Sequence, residues 1–182
     1  DVVELALFLR AMQEGLPNTG VELIAVDSYA QGIAKLREGL LTGLATSAWR
    51  NDLQDFVGEI LMSGPFIRDG QTVVGVYTRV GNSHALSCTN LHDIQQLRIA
   101  SNKDWSVDWK TLQNLGANFC VDVKTWRQMV YMLSAGEVDA VLAPFPPNDD
   151  LSIEFESCRL IPIPGIAVSL HGTRHFAVSR NE

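Results

Sequence analysis

The chain has 182 residues, 46% of them hydrophobic and 19% charged, which is the balance of a globular protein with material for one large domain or two small lobes. Its 14 Lys and Arg against 21 Asp and Glu leave a net charge of −7, and the basic residues are scattered. That excludes the clustered basic surface which nucleic-acid phosphates require. No apolar run approaches the roughly 20 residues of a membrane span, and no signal peptide is visible.

In chain order, Asp1 and Glu4 form a cap pair ahead of Val2, Leu5, Leu9 and Met12, whose spacing predicts a first helix that stops before the turn Pro17-Asn18-Thr19-Gly20. Residues 21–26 then read as a strand. Ser28 with Gln31 makes a capping box, Ile33, Leu36 and Leu40 the apolar stripe of a second helix, and Gly39 the left-handed residue that ends it. Further on, Leu97-Arg98-Ile99-Ala100 reads as a strand, roughly 105–115 as a helix closed by Gly116, and His175-Phe176-Ala177-Val178-Ser179 as a last strand.

Residues 22–46 and 119–143 lie over each other without a gap at an offset of 97. Val26 meets Val123, Gln31 meets Gln128, Leu36 meets Leu133 and Gly39 meets Gly136, while Ser28/Thr125, Tyr29/Trp126, Ile33/Val130 and Leu41/Val138 keep their character. Each copy is a strand, an N-cap, a helix ended by Gly and a second strand, so the pattern implies two similar α/β lobes with a cleft between them. No strand precedes Asp1 in the way 97–100 precedes the helix of the second lobe, which implies a chain that begins inside a longer protein. The strand-like run just before the end implies a closing helix beyond it.

Cys88, Cys120 and Cys158 show no metal-ligand spacing and read as structural thiols, Cys120 as a small buried hydrophobe, with a Cys88–Cys158 disulfide as the alternative. Asp139 falls where a helix turns into a strand and reads as a turn-fixing residue. His171 and His175 stand four apart, but Gly172 and the strand-like sequel argue against the helix that would turn both to one metal. No catalytic triad is spelled out, no Gly-rich phosphate loop is present, and no cofactor is expected.

Leu36-Arg37-Glu38-Gly39, then Thr46-Ser47-Ala48-Trp49-Arg50, then Met62-Ser63-Gly64-Pro65-Phe66 follow one another as do the Leu-x-x-Gly-x-x-Asp turn, Thr-x-x-Arg loop and Phe-Ser-Asp-Pro-Tyr segment of family 3 extracellular solute-binding proteins. Asn90-Leu91-His92-Asp93-Ile94 is similar to the Ser-Leu-Glu-Asp-Leu that opens their second lobe, and Gly136-Glu137-Val138-Asp139-Ala140 to their Gly-x-Val-Asp-Ala. The chain resembles this family over nearly its whole length. The resemblance implies an α/β, two-lobed type II periplasmic-binding-protein fold. Lobe one would be 1–82 plus 173–182, lobe two 83–172, and the hinge strands would lie near 80–84 and 170–174.

In family members that bind amino acids, the Arg of the Thr-x-x-Arg loop holds the ligand carboxylate, helped by hydroxyls and amides just before it. The resemblance puts Thr46, Ser47 and Arg50 in those places. Without it, Arg50 reads equally as a surface residue capping a helix or pairing with Asp52 or Asp55, and Thr46 and Ser47 as helix caps. In the second lobe Ser101, Asn102, Lys103, Asp104 and Trp105 pass from strand to helix, where α/β sheets put ligand contacts. Amides and Lys103 suit an anion, Asp104 opposes it, and Trp105 offers a stacking face. Trp105 and Trp109 read otherwise as helix core, and Phe145 as either a cleft wall or lobe core.

Two departures from the family stand out. Only Ala45 and Thr46 separate the strand from Ser47, a shorter loop than the family's. The acid that receives an α-ammonium group should follow the Val-Asp-Ala-Val strand, and here the stretch is Leu142-Ala143-Pro144-Phe145. A buried ammonium without a carboxylate is poorly accommodated, so the expected solute is anionic, aromatic or otherwise non-zwitterionic. The function expected is a periplasmic solute-binding or sensory protein, not an enzyme, that closes two lobes on a small solute and presents it to an ABC transporter permease or a membrane receptor. The alternatives are the ligand-sensing effector domain of a transcription regulator and a dehydratase-like enzyme on the same fold.

Overall fold

The computed structural model describes residues 2–15 and 20–181, so Asp1 with its cap pair, and the turn residues Pro17, Asn18 and Thr19, lie outside the described residues. In chain order the elements are α1 (Val2–Gly15), α2 (Tyr29–Arg37), β1 (Ala48–Trp49), α3 (Arg50–Leu53) continued by a 3-10 turn (Gln54–Phe56), β2 (Ile60–Met62), β3 (Thr72–Arg79), α4 (Ser83–Leu86), α5 (Leu91–Gln95), β4 (Arg98–Ser101), α6 (Ser106–Asn114), β5 (Phe119–Asp122), α7 (Trp126–Ala135), β6 (Ala140–Pro144), β7 (Ile153–Phe155), β8 (Cys158–Leu170), β9 (Arg174–His175) and β10 (Ala177–Ser179). Contacts divide them into two units, one of residues up to Asp69 with those from Gly172 on, the other Gly70–His171. Residues 70–82, expected in lobe one, therefore belong to the second unit. The expected crossing at 80–84 is instead the turn after β3, where Asn82 caps α4 by accepting from Ala85 N. β3 is held there because it pairs with both β6 and β8.

The second unit is built on one six-stranded sheet in the order β5-β4-β6-β3-β8-β7. β4 runs parallel to β5 and β6, and the remaining neighbours are antiparallel. Met129, Val130 and Leu133, the predicted stripe of α7, are buried in a core with Tyr77, Ala100, Val141 and Leu160. Full burial of a side chain such as Leu133 stabilises by roughly 1.5–3 kcal/mol. Gly75 is required in β3, because a Cβ there would lie 2.6 Å from the Tyr77 ring and 2.8 Å from the Phe145 ring. Asp139 has the structural role expected of it: its carboxylate accepts from Arg98 N, Nε and Nη2, each at 2.9 Å, and ties the start of β6 to β4.

The first unit packs Ile33, Leu36, Leu44, Leu53, Ile60 and Ala177 around two short antiparallel pairs, β1 with β9 and β2 with β10. Here the repeat holds only in part. Ser28 accepts from Gln31 N at 3.1 Å and Thr125 from Gln128 N at 3.2 Å, and Gly39 and Gly136 both have φ of +75°. The return bond of Gln31 goes to Asp27 N at 2.7 Å and not to the cap residue. The strands diverge: 119–122 and 140–144 are β5 and β6, whereas 21–26 forms no strand and 40–46 contributes only the bridge Gly43 to Val178. Val21, Leu23 and Ile24 are exposed, Leu23 at 61%. A capped helix forms on local bonds, but a strand needs a partner backbone, and among the described residues 21–26 has none. Leu40, expected on the helical stripe, is exposed because α2 ends at Arg37.

The three thiols are free, with Cys88 buried and Cys120 and Cys158 half-buried, so the Cys88–Cys158 alternative is set aside. Cys88 lies just after α4 with Sγ 3.6 Å from His84 O, while Cys158 opens β8. Among the described residues no helix is long and apolar enough to cross a membrane.

Candidate functional site

Thr46 and Ser47 lie in the turn that enters β1, and what they hold is a carboxylate of the protein itself. Glu4 of α1 is 4% exposed. Its Oε2 accepts from Thr46 Oγ1 at 2.5 Å and from Ser47 N at 2.9 Å, and its Oε1 from Ser47 Oγ at 3.1 Å. Arg174 Nη1 stands 3.5 Å from the same Oε1. Burial alone would raise the Glu4 pKa, but the Thr46 and Ser47 bonds and the Arg174 charge outweigh it and hold the carboxyl below its ordinary value.

Arg174 is placed by β9. It pairs with Trp49 in the β1–β9 ladder, its Nη2 donates to Ser47 O at 2.8 Å, and its guanidinium lies 5.4 Å from the Trp49 ring centre. Beside it Tyr29 donates to Asp52 at 3.1 Å and accepts from Trp49 N at 3.1 Å, and burial and the Asp52 charge push its phenol well up. Arg50, at the start of α3, is exposed, and its backbone amide donates to Thr173 O at 2.9 Å. The guanidinium at the Thr46–Ser47 turn is thus that of Arg174. His175 is buried, with its ring bonded to Thr173 Oγ1 and Ser63 O.

In the second unit Ser101, the last residue of β4, and Asn102, Lys103 and Trp105 lead through a hydrogen-bonded turn into α6. Ser101 and Asn102 are buried; the Asn102 amide group donates to Lys124 O at 3.1 Å and accepts from Asp104 N at 2.9 Å. Trp105 N donates to Asn102 O, and its half-buried ring packs on the core. Lys103 is exposed; its amide donates to Asp122 Oδ1 at 3.1 Å and its ammonium lies 5.3 Å from the Trp109 ring centre. That amide bond, with the Lys124 and Lys103 charges, holds the Asp122 carboxyl below its ordinary value. Phe145 is half-buried just past the end of β6 with its ring 6.2 Å from that of Tyr77, and Leu142 and Ala143 before it are buried.

Glu4 and Arg174 escaped the sequence reading for different reasons. Glu4 has the spacing of a helix-cap partner, which conceals a long-range one. Arg174 sits between His171 and His175, in a stretch whose evident pattern is the histidine spacing. An acid buried more deeply than the described apolar residues of its own helix is a signal that only packing reveals.

Two α/β units, the larger with a mixed sheet whose strands β3 and β8 lead to the two chain connections, define the type II periplasmic-binding-protein fold. Among solved structures, the periplasmic VFT2 domain of Bordetella pertussis BvgS is similar at 18% identity over 98% of this chain and 72% of that one, with a TM-score of 0.71. A probable amino-acid ABC transporter extracellular-binding protein, ytmK of Bacillus subtilis, is similar at 11% identity over 98% and 75%, TM-score 0.67. An amino acid ABC transporter substrate-binding protein of Streptococcus pneumoniae, bound to L-arginine, is similar at 16% identity over 98% and 70%, TM-score 0.65. These neighbours are amino-acid ABC transporter binding proteins and a periplasmic VFT2 domain, and at such identities the likeness is one of fold. The sequence matches no protein-family model and no curated protein.

Proposed function

We propose that the chain is a solute-binding or sensory module of a periplasmic or extracellular protein, serving an ABC transporter permease or a membrane receptor. The observation that carries this is the fold, shared over 98% of the chain with domains of that kind. The paired connections support it. Thr72 stands opposite Leu170 in the second unit and Ile67 opposite Arg174 in the first, so residues 68–71 and 171–173 are two short links suited to a hinge. The solute is small and anionic or aromatic, not an ordinary α-amino acid, because β6 ends in Ala143-Pro144 and Phe145 follows, with no carboxylate in that stretch to meet an ammonium group. Thr46, Ser47 and Arg50 of the first unit and Ser101, Asn102, Lys103, Trp105 and Phe145 of the second are the contacts proposed. Lys103 supplies charge and Trp105 and Phe145 ring faces, while Ser101 and Asn102 hold the turn rigid.

The test is thermal unfolding of the full-length protein against amino acids, polyamines, carboxylates, aromatic acids and sugars. A carboxylate or aromatic acid is expected to raise the midpoint, and Lys103→Ala to weaken that rise. Tight binding of glycine, glutamine or arginine instead would overturn the solute class.

A further inference from the structure

α1 is attached to the first unit in an unusual way: its most buried described side chain is an ionised acid, while Val3 beside it is 65% exposed. Leu5, Leu9 and Met12 are only half-buried, and Phe8 adds one ring contact, 5.8 Å from Phe176. Burying a carboxylate is unfavourable unless donors replace its water. Here they do, and each described donor belongs to the frame of the unit and not to α1. Thr46 and Ser47 directly precede β1, Ser47 O accepts from Arg174, and Arg174 is held by its pairing in β9. The described donors thus lie outside α1 and next to the β1–β9 ladder.

We infer that Thr46, Ser47 and Arg174 form a carboxylate-binding cradle whose resident occupant is Glu4, so that a free carboxylate competes with α1 for it. Glu4 uses the cradle incompletely. Its Oε1 stands 3.5 Å from Nη1, a loose contact for an ion pair, and Arg174 Nε is buried without a partner among the described residues. A carboxylate not tied to a helix can take two parallel guanidinium donors, the stronger geometry. Arg174 is then the cation that the cradle presents to an anion, and anion binding releases α1. Only the step from cradle to solute rests on the solute-binding reading; the cradle itself rests on the Glu4 contacts.

Chemical rescue tests it. Thermal unfolding of the full-length protein is compared in sodium acetate and sodium chloride at equal ionic strength and neutral pH for wild type, Glu4→Ala and Glu4→Gln. Acetate is expected to raise the midpoint of Glu4→Ala by several degrees, or to restore a cooperative transition if that variant is unfolded in chloride. Wild type and Glu4→Gln, whose side chains fill the cradle, are expected to show no acetate-specific rise. An absence of rescue in Glu4→Ala, or an equal rise in all three proteins, overturns the inference. Absent rescue alongside a solute hit in wild type removes the cradle and leaves the solute-binding function standing. Rescue with no solute hit does the reverse.

Discussion

Glu4 shows how much one residue's environment decides. Its carboxyl is held below the ordinary glutamate value by Thr46, Ser47 and the facing Arg174, so the folded chain keeps it ionised to lower pH than the unfolded chain does. The stability this brings is fully present above the unfolded value of about 4.3 and is lost as pH falls through the folded one. Glu4→Gln has no such charge to lose. Urea unfolding is expected to give a wild-type advantage over Glu4→Gln that is constant above about pH 5 and shrinks below about pH 4. Gly75 makes the complementary point about space. With Tyr77 and Phe145 less than 3 Å from any added Cβ, Gly75→Ala is expected to lower stability by about 1–3 kcal/mol in the same measurement, and a neutral result would mean that the two rings can move aside.

Elements differ in how far they depend on neighbours. α2 and α7 carry their own caps, Ser28 and Thr125, and their own left-handed stops, Gly39 and Gly136. Residues 21–26 are as apolar as β5 and yet extend without a partner among the described residues, whereas β4 is bonded on both sides by β5 and β6. Hydrogen exchange should separate the two. The amides of 21–26 are expected to exchange near the rate of an unstructured chain and those of Ile99 and Ala100 to be among the slowest; protection of 21–26 would reveal a pairing. β8 illustrates accommodation: between Gly75 opposite Ala167 and Tyr77 opposite Pro162, residues 163–166 face Val76 alone, and Gly165 at φ +73° makes the bulge.

For the whole molecule, each unit has its own core and two short links join them. A solute bound at about a hundred times its dissociation constant adds roughly 2.7 kcal/mol of stability, which for a chain of this size raises the midpoint by several degrees. That size of effect makes the thermal screen decisive for the proposed function. A solute can drive a hinge only through its preference for one arrangement, so a bound compound and a moved hinge are separate observations.

The amino-acid sequence by itself determined what is local. The caps, the stops, the apolar stripes of α2 and α7, the turn role of Asp139 and the order of motifs behind the type II fold all depend on residues a few positions apart. Tertiary structure decided whatever needed a distant partner: that 21–26 forms no strand, that residues 70–82 join the second unit, and that Arg174 rather than Arg50 reaches the Thr46–Ser47 turn. It also decided that the turn closes on Glu4, 43 positions from Ser47. The reason is physical. Helix periodicity and capping are written within one or two turns of chain, whereas strand pairing and the partnering of a buried charge are settled only when remote backbone and side chains meet.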